Sequence, residues 1–223
     1  MNLNIDTAFM LEVSPRVFQY VHVTLSLTFI ASLIALCIGT TLALIATYRI
    51  RLLYPLSRVY ISFFRGTPLL VQLFLLYYGI PQIIPQFSRM NAYTAAFIGL
   101  GLHSAAYMAE SIRGAIQSID KGQIEACLSV GMTPWQGMKR IVLPQAARVA
   151  IPSLGNSLVD LVKSSSLAFT LGVPEMLAQA KMSAAATYKF FESYLVVLMV
   201  YWLITICMSY FLGKLETRLN KAY

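Results

Sequence analysis

From Val17 to Tyr48 the chain carries no Lys, Arg, Asp or Glu, and Arg49 and Arg51 close the run. A helix needs roughly 20 apolar residues to cross a hydrocarbon core ~30 Å thick, so this stretch predicts a full membrane span. A second span starts near Arg58 and reaches about Pro85, broken by Arg65, Gly66, Thr67 and Pro68. A third runs from Met90 to Ala109 and continues as a helix through Glu110 and Arg113. A fourth begins near Val149 and is interrupted by Asp160, Lys163 and the serines at 164, 165 and 166. The fifth, Ser193 to Gly213, is uncharged and ends at Lys214. Strands of a membrane barrel alternate apolar and polar residues over about ten positions, and these runs do not alternate. The pattern therefore predicts an all-α integral membrane protein, a bundle of about five transmembrane helices. One structured polar loop, 118–148, stands apart from the spans.

That loop carries two helix-start signals. Asp120-Lys-Gly-Gln123 has the form of a capping box, with Asp as N-cap and Gln three residues on. Behind it Ile124, Cys127, Leu128 and Gly131 fall at i, i+3, i+4 and i+7, one apolar helix face, with Glu125 and Ser129 off that face. Gly131 can stop the helix, since glycine tolerates positive φ. Thr133-Pro-Trp-Gln136 then supplies a second N-cap, a proline at N1 and a Gln at N3. Trp135, Met138 and Val142 share a face until Pro144, which is expected to end the element. A helix of about two turns is marginal alone in water, so the loop needs a partner.

Composition sharpens this picture. Hydrophobic residues make up 58% of the 223 and charged ones only 12%, against about 25% in a soluble domain. Little is left over for a soluble domain. The organisation expected is an external N-terminal segment 1–16, a transmembrane domain 17–215 and a cytoplasmic tail 216–223.

The net charge of +8 does not indicate nucleic acid, because Lys and Arg stand singly or in pairs between apolar runs. In a membrane protein such residues fix orientation. With the N-terminus outside, the inner segments hold Arg49, Arg51, Arg58, Lys121, Lys139, Arg140, Arg148, Lys214, Arg218 and Lys221. The outer segments hold only Arg16, Arg89, Lys181 and Lys189. The loop and the C-terminus are thus expected in the cytoplasm.

Other chemistry is sparse. Cys37, Cys127 and Cys207 lie far apart with no metal spacing, and read as small buried apolar residues. Asp6 and Glu12 precede any basic residue, unlike a signal peptide. No HExxH or GxSxG motif suggests an intramembrane enzyme.

The loop residues Glu125-Ala126-Cys127, Gly131 and Ile141-Val-Leu-Pro144 resemble the EAA motif of ABC importer permeases, Glu-Ala-Ala-x3-Gly-x9-Ile-x-Leu-Pro. Cys127 for the second Ala is the one departure. Phe64-Arg-Gly-Thr-Pro68, Ala106-Tyr-Met-Ala-Glu110, Arg113-Gly114 and Gly122-Gln-Ile-Glu-Ala126 resemble the polar amino-acid branch of that superfamily. The resemblance covers roughly Thr24 to Leu215, and within it Tyr60–Gln82 and Gly131–Pro152 are most similar to cystine-type permeases.

The resemblance implies a permease subunit in a bacterial cytoplasmic (inner) membrane. Its partners would be a second permease copy or paralogue, a cytoplasmic ABC ATPase dimer and an external solute-binding protein. Glu125, Ala126, Gly131, Leu143 and Pro144 would form the ATPase contact. The chain has no Walker motif, so ATP and Mg belong to the ATPase, and the permease binds no cofactor and catalyses nothing.

Ionisable residues within spans default to functional hypotheses. Glu110 and Arg113, and Asp160 and Lys163, are spaced i, i+3, so each pair can meet on one face. Either they neutralise each other, or an amino-acid ligand exchanges with them. Serines 164–166 and glycines 155 and 172 could loosen the helix around Asp160, as unwound backbone does in transporter sites. The corresponding family stretch usually reads Lys-Asp-Thr-Ser-Leu, and here it is Lys163-Ser-Ser-Ser-Leu167, with no acid at 164. Gly66 and Pro68 are expected to kink the second span while Arg65 snorkels to the inner surface, with Thr67 and Gln72 as lesser path-lining candidates. His22 and His103 read as packing residues. The residues alone leave a second reading open, a stand-alone secondary transporter or channel driven by ions through Glu110 and Asp160.

Overall fold

The computed structural model describes residues 5–220, the side chains of 219 and 220 excepted. Lys221, counted above among the inner basic residues, lies outside the described residues, as do residues 1–4 and 222–223 of the two terminal segments. Among the described residues every regular element is helical. In chain order they are α1 (Thr7–Phe18), α2 (Val21–Tyr48), α3 (Leu53–Gly66), α4 (Leu69–Phe74), α5 (Ile80–Ile83), α6 (Ala92–Gln117), α7 (Lys121–Ser129), α8 (Pro134–Gly137), α9 (Leu143–Ser164), α10 (Met176–Thr187) and α11 (Phe190–Asn220).

The bundle consists of α2, the broken α3–α5 unit, α6, α9 and α11. Of these, α2 and α11 are each long and apolar enough alone to cross a membrane, and α3 with the helix after it forms a third, bent candidate. Helices α6 and α9, with 26 and 22 residues, are long enough but carry the charged pairs, and α6, the more buried of the two, packs on α2, α3, α4 and α9.

The tightest seam joins α2 to α6. Buried Ala31, Ala35, Gly39 and Ala43 repeat every four residues along α2, a small-residue stripe that lets two helices approach closely. Gly39 faces Ala105 and Ala109, whereas Gly101 faces Ala31 and Ile34, so the two helices run parallel. A methyl group on Gly101 would stand 2.9 Å from Ile34 Cβ and 3.1 Å from the Ala31 carbonyl. Gly101→Val is therefore expected to destabilise the bundle by about 1–3 kcal/mol. Thermal melting in detergent checks this against Gly114→Ala, whose added methyl meets nothing within 4 Å.

Several boundaries differ from the sequence reading. The N-terminal segment is helical through Phe18, and its Phe9, Val13 and Val17 are buried against Met176, Ala180, Val197 and Val200 of α10 and α11. Asp6 caps α1 through the Phe9 amide at 2.9 Å and pairs with Lys189, and these two donors hold its carboxyl below the ordinary value. The second span turns by 110° at its break, far more than a kink. Thr67 is extended (φ −123°, ψ 149°) and Pro68 follows it at ψ 133°, because proline bars the preceding residue from the helical region.

Pro144 does not end the loop's second helix. A π-helical turn, Met138–Val142, runs directly from α8 into α9. The wider turn makes room for a ring that would clash in an α-helix and lacks an N–H, and the Gln145 side chain donates to the Ile141 carbonyl at 3.0 Å. The loosening expected around Asp160 begins later. Asp160 and Lys163 stay helical, the chain tightens to 3₁₀ over Ser165–Leu171, and Gly172 ends it at φ +94°. Gly155 is a packing site, since a methyl there would meet Leu212 at 3.1 Å. The last helix passes Lys214 without a break. Only Cys127 of the three cysteines is buried, Cys37 and Cys207 lying on the outer surface of the bundle.

Candidate functional site

Two regions gather the residues singled out above. The first is the loop. Asp120 caps α7 through the Gly122 amide at 2.6 Å, a shorter reach than the predicted capping box. Gly131 (φ +81°) closes α7 with paired bonds, Gly131 N–H to the Leu128 carbonyl and Met132 N–H to the Cys127 carbonyl, each at 3.0 Å. This is the Schellman arrangement, whose left-handed position favours glycine. Thr133 and Gln136 form the reciprocal capping box that the sequence predicts. Cys127 packs on Gly137, where a methyl would come within 3.1 Å of its Cβ. The site therefore suits a side chain that stays small.

The loop's inward face is satisfied by this chain, as Ile124, Met138, Val142 and Leu143 join Ile116 and Ala146 in one apolar cluster. Its outward face carries Glu125, Ala126, Leu128, Val130, Gly131 and Trp135, all exposed, with Val130 at 76%. Pro144 is exposed and Leu143 half-buried in that cluster. The five predicted contact residues thus divide, with Leu143 turned to the chain's own core.

The second region lies halfway along α6. His103, Ser104 and Tyr107 of α6 face Ser157, Asp160, Leu161 and Ser164 around a cavity of about 270 Å³. Asp160 pairs with Lys163 at 2.6 Å, both largely exposed, and Lys163 is not among the cavity's walls. Beside the cavity Glu110 accepts from Arg113 at 2.7 Å and stands 3.8 Å from Arg65, whose guanidinium lies 5.5 Å from the Tyr107 ring. Arg113 also donates to Gln117 at 2.6 Å. Arg65 is therefore engaged across the bundle and does not simply snorkel away.

Thr67 and Gln72 are likewise brought together. The buried Gln72 amide nitrogen donates to the carbonyls of Phe64 (3.0 Å) and Thr67 (3.1 Å) and to Thr67 Oγ1 (2.7 Å), and its oxygen meets His103 Nδ1 at 2.9 Å. Gln72 thus stitches the break. His103, read as packing, is a polar wall of the cavity and the neighbour of the break. The missed signal was spacing. His103, Tyr107 and Glu110 fall at i, i+4 and i+7, and Ser157, Asp160 and Ser164 at i, i+3 and i+7, one polar stripe on each of two facing helices.

A model of the family described as "Binding-protein-dependent transport system inner membrane component" matches residues 35–221. The chain is 52% identical over 219 residues to the probable amino-acid permease protein YxeN of Bacillus subtilis (strain 168), covering 98% of each. It is 50% identical over 221 residues to the probable amino-acid ABC transporter permease protein PatM of Vibrio harveyi, covering 99% of each. The crystal structure of an amino acid ABC transporter with histidines superposes with a TM-score of 0.88 at 35% identity, covering 97% of this chain and 100% of that one.

Proposed function

The chain belongs to the binding-protein-dependent transport system inner membrane component family, and from that premise we propose that it is the permease of an ABC importer for a polar amino acid. The exposed loop face from Glu125 to Val130, with Trp135, carries this reading. It is largely apolar with one carboxylate, belongs to a helix too short to stand alone, and apart from the Tyr48 ring beside Trp135 none of the described residues covers it. A groove on a cytoplasmic ATPase is the partner that fits. ATP and Mg reside on that ATPase, where ATP supplies the energy that the closing motion transmits. The assembly includes a second permease, identical or paralogous, and an extracytoplasmic solute-binding protein that delivers the ligand. It sits in a bacterial cytoplasmic membrane with the N-terminus outside and the C-terminus in the cytoplasm.

Coupling follows from the continuity of the rod that begins at Pro134 and ends at Ser164, roughly 45 Å at ~1.5 Å per residue. Movement of Trp135 at one end displaces Asp160 near the other, since the π-helical turn carries α8 into α9 without a break. The cavity between α6 and α9 is then the stretch of the pathway that opens and closes, a rigid-body switch around a midplane site. An amino acid offers an ammonium for Asp160, while Glu110, Arg113 and Arg65 form a charged cluster one turn away. The cystine-like stretches Tyr60–Gln82 and Gly131–Pro152 favour L-cystine or a related amino acid.

Reconstitution tests both levels. Proteoliposomes holding this permease, its ATPase and the solute-binding protein encoded beside it are expected to take up a labelled polar amino acid only when ATP is supplied. Uptake by this chain alone, without ATP, would overturn the reading in favour of a secondary transporter. Excess unlabelled L-cystine is expected to compete, and uptake indifferent to it rejects the cystine assignment alone.

A further inference from the structure

His103 sits between two features described separately above, the break in the second span and the cavity. Its contact with Gln72 fixes more than position. Each oxygen around the Gln72 amide nitrogen can only accept. Two are backbone carbonyls, and the Thr67 hydroxyl has given its own proton to the Phe63 carbonyl at 2.8 Å. A reversed amide would set its oxygen against three acceptors, so the nitrogen faces the break and the oxygen faces His103. An amide oxygen 2.9 Å from Nδ1 requires a proton on Nδ1. In a neutral imidazole with that nitrogen protonated, the other is an acceptor.

The ring is half-buried, leans on Tyr107 at a centroid distance of 5.1 Å and forms part of the cavity wall. With Nδ1 taken, Nε2 is the polar atom it can offer the cavity, where Asp160, one oxygen of which holds Lys163 at 2.6 Å, supplies the other strong acceptor. We propose that His103 is a ligand-binding residue, locked by Gln72 as the Nδ1–H tautomer, whose Nε2 accepts a hydrogen bond from an N–H group of the amino acid. The cavity then selects for donor-rich ligands, recognising an ammonium by a carboxylate and an imidazole lone pair together. This rests on the amino-acid importer reading for the ligand's class, whereas the tautomer rests on the contacts of Gln72.

The chain holds two histidines, so a His22→Asn permease labelled with ¹⁵N-histidine and assembled with its ATPase in nanodiscs reports on His103 alone. The expected spectrum shows a protonated Nδ1 and an unprotonated Nε2, and addition of L-cystine or L-glutamine moves the Nε2 resonance. Equilibrium binding of the same two amino acids to the permease–ATPase complex supplies the second arm. His103→Asn keeps an amide near Nδ1 but removes the acceptor, and is expected to weaken binding by roughly tenfold or more. His103→Gln returns an amide oxygen to the place of Nε2 and is expected to recover most of that loss. A protonated Nε2, whether as the other tautomer or the doubly protonated ring, overturns the proposal. So does equal affinity of the parent and His103→Asn complexes for both amino acids. ATP-independent uptake by the parent chain would instead sink the importer reading and leave the tautomer standing.

Discussion

Replacing Gly131 by valine is expected to lower ATP-driven uptake by about 10–100-fold while the permease still inserts and folds. An added methyl meets nothing within 4 Å at this position, so the penalty is one of backbone conformation. At φ +81° a β-branched residue is strained by about 1–3 kcal/mol. The chain can relieve that strain only by giving up the two bonds from Gly131 and Met132 that close α7. Glu125, Ala126 and Leu128 would then lose the fixed geometry that the proposed ATPase contact needs. Gly131→Asn should retain most activity, because asparagine enters the left-handed region readily. Copurification of the ATPase with tagged permease reads the effect directly. A valine variant that holds its ATPase as tightly as the parent would show that the turn is not part of the contact.

Removing the carboxylate at Glu110 is expected to cost about 2–3 kcal/mol of stability, the scale of an unpaired charge at membrane depth. Glu110 and Arg113 are only 20% and 27% exposed and meet at 2.7 Å, so each leans on the other in a poorly solvated place. Arg65, 45% exposed and 3.8 Å away, adds little to that sum. Glu110→Leu takes from Arg113 its carboxylate and leaves it the neutral side-chain oxygen of Gln117 at 2.6 Å. The double variant Glu110→Leu, Arg113→Leu should recover part of the loss, since no charge is left stranded. Thermal unfolding followed by size-exclusion chromatography separates the three proteins. If Glu110→Leu melts with the parent, mutual neutralisation is not what the pair provides.

Much of this was legible from local rules. The apolar runs marked the bundle, the Thr133–Gln136 box formed as the residues require, and Gly131 ended its helix for the reason glycine usually does. The i, i+3 charge pairs also met as spacing dictates. What local rules missed was set at long range. Gly66, Thr67 and Pro68 announce that a helix stops, but the turn that follows is held by Gln72 bonding back across the break. Pro144 looked like a stop because the rule assumes an α-helix, and a π-helical turn removes that assumption. His103 looked solitary because its partner Gln72 lies 31 residues away. Gly155 looked like a weak point until Leu212, on another helix, filled the space beside it.

The seam between α2 and α6 has a mechanical consequence. With Gly39 packed so closely that an added methyl would stand 3.0 Å from the Ala105 carbonyl, and Gly101 likewise against Ile34, sliding or rolling of either helix would drive a side chain into a backbone. The two act as a stator. Any alternation of access is left to the parts mounted on it, the α9 rod on one flank and the elbow at Thr67 on the other. Both reach the stator at His103, which faces α9 across the cavity and meets Gln72 of the elbow, while Arg65 reaches it at Glu110.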